Sequence, residues 1–247
     1  MNGLEINKEL PVVASGLKKN YGTLSVLKGV SLRIERGEIF GLLGPNGAGK
    51  TSLLECILGS RSYDSGSVSL LGNDGRRRNR RLFERIGVQL QASAFPSYIK
   101  TGELCRRTAC LYKSGGDWPA LIGRFGLKQC LKRPVSALSG GELRKLSLVL
   151  ALIHEPELLF LDELTTGMDP QARREIWNCL LELNGRGVTI FLISHYMDEV
   201  SFLCSRAAVL HDGRIAAEGS PSELASLSPS SSLEDSYLSI TGGEAVK

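Results

Sequence analysis

The segment Gly44-Pro45-Asn46-Gly47-Ala48-Gly49-Lys50-Thr51 constrains this chain more than any other. It fits GxxxxGK[ST] in full. A dense apolar run, Glu38 to Leu43, leads into it, and Leu53, Leu54, Ile57 and Leu58 recur at helical spacing after it until Gly59 closes the helix. Strand, glycine-rich turn and helix in that order surround a phosphate with backbone N–H groups and the positive end of a helix. The loop residues have to be small, because the main chain must wrap closely around phosphate oxygens. Lys50 is placed to neutralise charge on the outer phosphates and the Thr51 hydroxyl to ligate Mg²⁺, with Ser52 next at the same helix end.

The remainder reads as an α/β body built around that turn. Val30 to Glu35 alternates apolar and polar residues as a half-buried strand does, and Gly66 to Leu71 and Ile86 to Leu90 read as further strands. From Thr101 to Pro134 the pattern changes to short helical pieces broken at Ser114-Gly115-Gly116 and at Gly126, which predicts a helical insertion. Beyond it come a helix over Leu143 to Ile153, a buried strand over Leu158 to Leu161 and an amphipathic helix over Pro170 to Leu183. A strand over Val188 to Ser194, a helix over Tyr196 to Leu203 and a hairpin turning at Asp212-Gly213 follow. Strands alternating with helices point to a mostly parallel sheet covered on its faces. Ser226 to Ser232 reads as a serine-rich linker before a short helix, Leu233 to Ile240, for which Ser231 and Ser232 are candidate caps.

Composition narrows the function classes. The 247 residues are 42% hydrophobic and 23% charged, ordinary for a globule, and no apolar run approaches the roughly 20 residues that span a bilayer. Six scattered cysteines without a CxxC pair, and three histidines, indicate neither a disulfide framework nor a rich metal centre, so a cytosolic, reduced protein is expected. A net charge of +4 is too weak to suggest nucleic acid. Five arginines cluster between Arg76 and Arg81, but without interleaved aromatics they read as a solvated loop and helix start.

Two more constellations carry chemistry. In Leu158-Leu159-Phe160-Leu161-Asp162-Glu163, adjacent carboxylates stand at the carboxyl end of a buried strand, where open α/β sheets bind ligands. Asp162 is placed to hold Mg²⁺ and Glu163 to orient or deprotonate an attacking water. In Leu138-Ser139-Gly140-Gly141-Glu142 a serine and two glycines open a helix and make a second anion-seeking terminus. One nucleotide needs a single phosphate loop, which makes the second motif informative.

Here the chain resembles the ATP-binding cassette (ABC) ATPases, in which the LSGGE or LSGGQ signature of one subunit completes the nucleotide site of another. The resemblance runs from about Val13 to Glu223. It implies a P-loop NTPase fold with a mostly parallel central sheet, an N-terminal antiparallel β subdomain and a helical insertion subdomain. Residues 12–91 and 138–225 form the core, 92–137 the helical part, and 226–247 a linker and short C-terminal helix. By the same resemblance Tyr21 stacks on adenine, and Gln91 joins Mg²⁺ and the catalytic water to a membrane partner, with Gln89 as the alternative. Asp169 lies in the loop that crosses the dimer interface, His195 contacts the γ-phosphate, and Ser139, Gly140, Gly141 and Glu142 serve the facing subunit's ATP. Leu164 stands where the family usually has proline after the catalytic glutamate.

The implied partners are a second cassette subunit, allowed as a homodimer, and a separate permease at the cytoplasmic face of the membrane, with no nucleic acid. Ile193 to Glu199 and the tail Leu233 to Gly242 resemble ABC-2-type export ATPases, including drug exporters. The alternative is a soluble cassette ATPase acting on ribosomes or DNA, disfavoured by the single cassette and the absence of coiled coils. A switch GTPase would need an NKxD base-reading motif, which the chain lacks. Phe95, Tyr98, Leu104 and Leu111 are candidates either for the permease contact or for core.

Overall fold

A computed structural model describes residues 10–76, 80–90, 95, 96 and 98–242. Gln91 and the central part of the arginine run, Arg77, Arg78 and Asn79, lie outside the described residues. The chain divides into two compact units, one formed by the sequence up to Leu82 together with Thr189 onward, the other by Phe83–Val188.

The first unit opens with β1 (Val12–Tyr21) and β2 (Leu24–Ile34), antiparallel from Val12 opposite Ile34 to Tyr21 opposite Leu24. Val30, Leu32 and Ile34 of β2 are buried in the alternation that a one-sided sheet requires, and in β1 Val12 and Ala14 alternate likewise until a register shift brings Leu17 to the buried side. In β3 (Ile39–Leu43) every residue is buried, and α1 (Lys50–Ile57) follows the glycine-rich turn. β4 (Ser65–Leu70) pairs antiparallel with β1, and β5 (Asn73–Asp74) with β4, which completes an antiparallel sheet of order β2-β1-β4-β5. α2 (Arg80–Phe83) begins on the last arginines of the basic run, the helix start expected there, and the Arg76 guanidinium lies 4.6 Å from the Tyr63 ring centre.

The second unit contains β6 (Ile86–Gln89), α3 (Thr101–Ala109), α4 (Trp118–Arg124), α5 (Gly140–Leu152), β7 (Leu158–Asp162) and α6 (Pro170–Gly185). β6 and β7 are parallel, Ile86 opposite Leu158 and Gln89 opposite Leu161. Between α3 and α5 the chain forms α4 and two short 3₁₀ turns, Lys128–Cys130 and Val135–Ala137, with buried Cys105, Ile122, Leu127 and Cys130 supplying the apolar contacts. The insertion is therefore helical, as its pattern predicts. The compact unit that holds it also takes in β6, α5, β7 and α6, a wider set than residues 92–137.

Returning to the first unit, the chain adds β8 (Thr189–Ile193), α7 (Met197–Leu203), β9 (Arg206–His211), β10 (Arg214–Gly219), α8 (Pro221–Ala225) and α9 (Leu233–Thr241). β3 lies between β8 and β9, parallel to both, and β10 returns antiparallel along β9. Both neighbours keep β3 out of water, which is why it reads as a continuous apolar run, and Phe40 stacks on Phe191 at 6.0 Å between ring centres. Asp212 and Gly213 turn the hairpin with φ of 45° and 71°, the paired positive values of a type I′ turn. The expected serine linker is a hydrogen-bonded turn. Ser228 is buried, its hydroxyl donates to the Ser232 carbonyl, and Ser236 reaches the Ala225 carbonyl at 2.9 Å. Ser232, one of the two serines expected as caps, accepts from the Asp235 amide at the start of α9.

Candidate active site

In the first unit the phosphate loop leaves β3 at Gly44, where a β-carbon would stand 2.4 Å from the Leu210 carbonyl oxygen. Gly49, at φ 106°, is the N-cap of α1 and brings no side chain to its end, so the first turn is capped by nothing that competes with an anion. Lys50 is buried, and its ammonium donates to the Gly44 carbonyl at 2.6 Å and the Pro45 carbonyl at 3.1 Å, folded over the loop it serves. Tyr21, 38% exposed, ends β1 with its hydroxyl 3.3 Å from the Ser52 hydroxyl. Lys19 Nζ and the Arg61 guanidinium lie 5.2 Å and 5.4 Å from that ring's centre, and Glu55 holds Arg61 at 2.5 Å. His195 follows β8 on an exposed turn. Its two neighbours fix that turn, because the Ser194 hydroxyl donates to buried Glu199 at 2.5 Å and accepts from the Tyr196 amide at 3.0 Å.

In the second unit β7 ends at Asp162, which is 3% exposed and whose amide donates to Gln89 Oε1 at 3.3 Å. Glu163 follows with φ 51°, a left-handed conformation that costs a non-glycine residue of order 1 kcal/mol. Arg144 holds it there, donating from Nη1 to the carbonyls of Glu163 at 3.0 Å and Leu164 at 3.4 Å. Leu164, in the position where proline is usual, is fully buried.

The signature residues of the same unit form a capping box. Ser139 Oγ accepts from the Glu142 amide at 3.2 Å, and the Glu142 carboxylate accepts from the Ser139 amide at 2.8 Å. Arg133 Nη1 at 2.9 Å and Cys130 Sγ at 3.2 Å also donate to that carboxylate. The backbone hydrogen bond from Ser139, aided by Cys130 and Arg133, holds the Glu142 carboxyl down at about 2. Its oxygens are engaged with the helix end and with Cys130 and Arg133, and the carboxylate accepts from the Ser139 amide. Space is open around the α-carbons of Gly140 and Gly141. Asp169 is likewise a cap, its Oδ1 accepting from the Ala172 amide at 2.9 Å before Pro170 in the first turn of α6.

The donors fit the expected ion in kind. The Thr51 hydroxyl and the Asp162 carboxylate are hard oxygen ligands of the sort Mg²⁺ takes. Among the described residues no group of three or more His, Cys, Asp or Glu side chains gathers around a point. Sequence reasoning did not reach Arg144, Arg133, Cys130 or Glu199, whose partners lie 5 to 19 residues away. Glu199 alone leaves a trace, as an acid one helical turn beyond His195.

An intact phosphate loop after a buried strand, with Asp-Glu closing another, defines a P-loop nucleoside triphosphatase. The sequence profile described as ABC transporter matches residues 27–166. The chain belongs to that family and is an ATP-hydrolysing member of it. It is 41% identical over 213 residues to the Nod factor export ATP-binding protein I of Paraburkholderia xenovorans, covering 84% of this chain and 70% of that protein. It is 34% identical over 218 residues to the linearmycin resistance ATP-binding protein LnrL of Bacillus subtilis, covering 86% and 70%. A solved ATP-binding subunit of an ABC transporter superposes with a TM-score of 0.85 at 24% identity, over 93% of this chain and 98% of that one, a likeness of fold.

Proposed function

We propose that this chain is the ATPase subunit of an export transporter, working as a pair of identical subunits on a separate transmembrane permease at the cytoplasmic face. The observation that carries the proposal is that one polypeptide holds both complementary parts of a nucleotide sandwich: an uncapped phosphate loop and a signature helix whose serine is held in place by its own capping box. The export names of the relatives support the direction of transport. Among the described residues no helix is long and apolar enough to cross a membrane, which fits a permease on another chain.

Each residue then has a task. Tyr21 offers a ring face to adenine. The loop amides of Gly44 to Gly49 and the helix end bearing Lys50, Thr51 and Ser52 take the phosphates, and Lys50 turns from its own carbonyls to the substrate. Thr51 and Asp162, with Gln91, would hold Mg²⁺, which when bound neutralises charge on the outer phosphate oxygens. Glu163 orients the attacking water and accepts its proton, and His195 donates to the γ-phosphate. Ser139, with the amides of Gly140 and Gly141, covers that phosphate from the second subunit, and Asp169 accompanies it across the interface. Hydrolysis removes the shared phosphate and the pair separates, which is the movement a permease can use. Tyr98, 93% exposed, and exposed Leu111 serve the permease contact, while Leu104 and Phe95 are half-buried.

The test is affinity purification of the tagged chain from detergent-solubilised membranes, with ATPase measured on the product. A multi-span membrane protein is expected in the complex, with Mg²⁺-dependent hydrolysis that falls at least about a hundredfold in Glu163→Gln. Recovery with ribosomes and no membrane protein contradicts the proposal.

A further inference from the structure

A primary amide is buried at the end of β6. Gln89 is 3% exposed, and an amide buried in such a place is destabilising unless it finds hydrogen-bond partners, so its partners are informative. Its Nε2 donates to the Leu90 carbonyl at 2.8 Å, and its Oε1 accepts from the Asp162 amide at 3.3 Å. The register sets Gln89 opposite Leu161, so the side chain reaches one residue beyond its strand partner, to the carboxylate residue that ends β7. One side chain thereby ties the main chain of Asp162 to that of Leu90. An apolar side chain of equal size would fill the volume and make neither bond.

We infer that Gln89 is a positioning residue: it fixes where the end of β7 presents the Asp162 carboxylate and links that position to the main chain of Leu90. The inference rests on the role proposed above for Asp162. It assigns Gln89 an action through the backbone of its neighbours and no contact with substrate.

The experiment compares the full chain with Gln89→Met, which keeps the length and removes both hydrogen bonds, and with Gln89→Glu, which keeps an acceptor and loses the donor to Leu90. Hydrogen exchange at the Asp162 amide, read without nucleotide or metal, reports the bond directly. Steady-state kinetics give kcat, KM for ATP and the half-saturating Mg²⁺ concentration. Gln89→Met is expected to exchange faster at Asp162, to lose about tenfold in kcat and to need about tenfold more Mg²⁺, with KM for ATP within about twofold. Gln89→Glu is expected to regain exchange protection. Unchanged exchange and unchanged Mg²⁺ dependence in Gln89→Met, in a protein that melts like wild type, overturn the inference. Absence of hydrolysis in wild type overturns instead the role given to Asp162, and the exchange result still decides whether Gln89 holds its amide.

Discussion

Gly44 has no room for a side chain. A β-carbon there would meet the Leu210 carbonyl oxygen at 2.4 Å, and that oxygen belongs to the main chain of β9, which cannot yield without disturbing the sheet. Gly44→Ala is expected to cost about 1–3 kcal/mol in a denaturant titration and to abolish binding of a fluorescent ATP analogue, because the strain falls on the loop that wraps the phosphates. At Glu142 the charge state is the issue. Its carboxyl is lowered in the folded chain from 4.5 to about 2, so the folded form favours the ionised group. The stability this contributes is complete above pH 4.5 and is lost as the pH falls toward 2. Glu142→Gln keeps an acceptor for the Ser139 amide and has nothing to titrate. Its urea midpoint is expected to fall less steeply than that of wild type over that interval, and parallel curves would exclude Glu142 as a source of the acid sensitivity.

α5 shows what an element adds to its residues. Ser139 and Glu142 close its first turn reciprocally, and Arg133 and Cys130 hold the glutamate from outside the helix, so the helix end is set by the fold itself. Ser139→Ala is expected to lower stability by about 0.5–2 kcal/mol in thermal and urea unfolding and to weaken ATP-dependent association further, since it removes the cap and, on the proposed function, a phosphate contact. A loss of stability with association intact would leave Ser139 as a cap alone. Elements of this kind were legible in the sequence because their signals are local. The phosphate loop is one contiguous run, β3 and β7 read as apolar strands, and the 3.6-residue period marks α6. The rest was illegible for a physical reason: it is made of side-chain hydrogen bonds between distant segments. Nothing in local spacing announces that Arg144 grips the carbonyl of Glu163, that Gln89 accepts from Asp162, or that the serine run after α8 closes on itself through Ser228 and Ser236. The usual proline after Glu163 is replaced by Leu164, and the fold keeps that residue by burying it and bonding its carbonyl to Arg144.

At the scale of the whole molecule, the pairing proposed above has the phosphate loop and the signature helix act on different nucleotides, one's own and a partner's. On that proposal ATP is both substrate and adhesive, and hydrolysis is what releases the pair. Blocking hydrolysis while keeping binding should leave the adhesive in place. Glu163→Gln does this with the least disturbance, since glutamine preserves the shape of the side chain and the carbonyl that Arg144 holds is main chain. The most direct measurement is sedimentation of purified Glu163→Gln with and without ATP. Particles of twice the 26.8 kDa chain mass are expected with ATP and monomers without it, and a second substitution, Ser139→Ala, is expected to shift the ATP sample back toward monomer. Monomers at every concentration of ATP and protein, alongside a wild type that hydrolyses ATP at an undiminished rate per chain on dilution, would contradict a shared site.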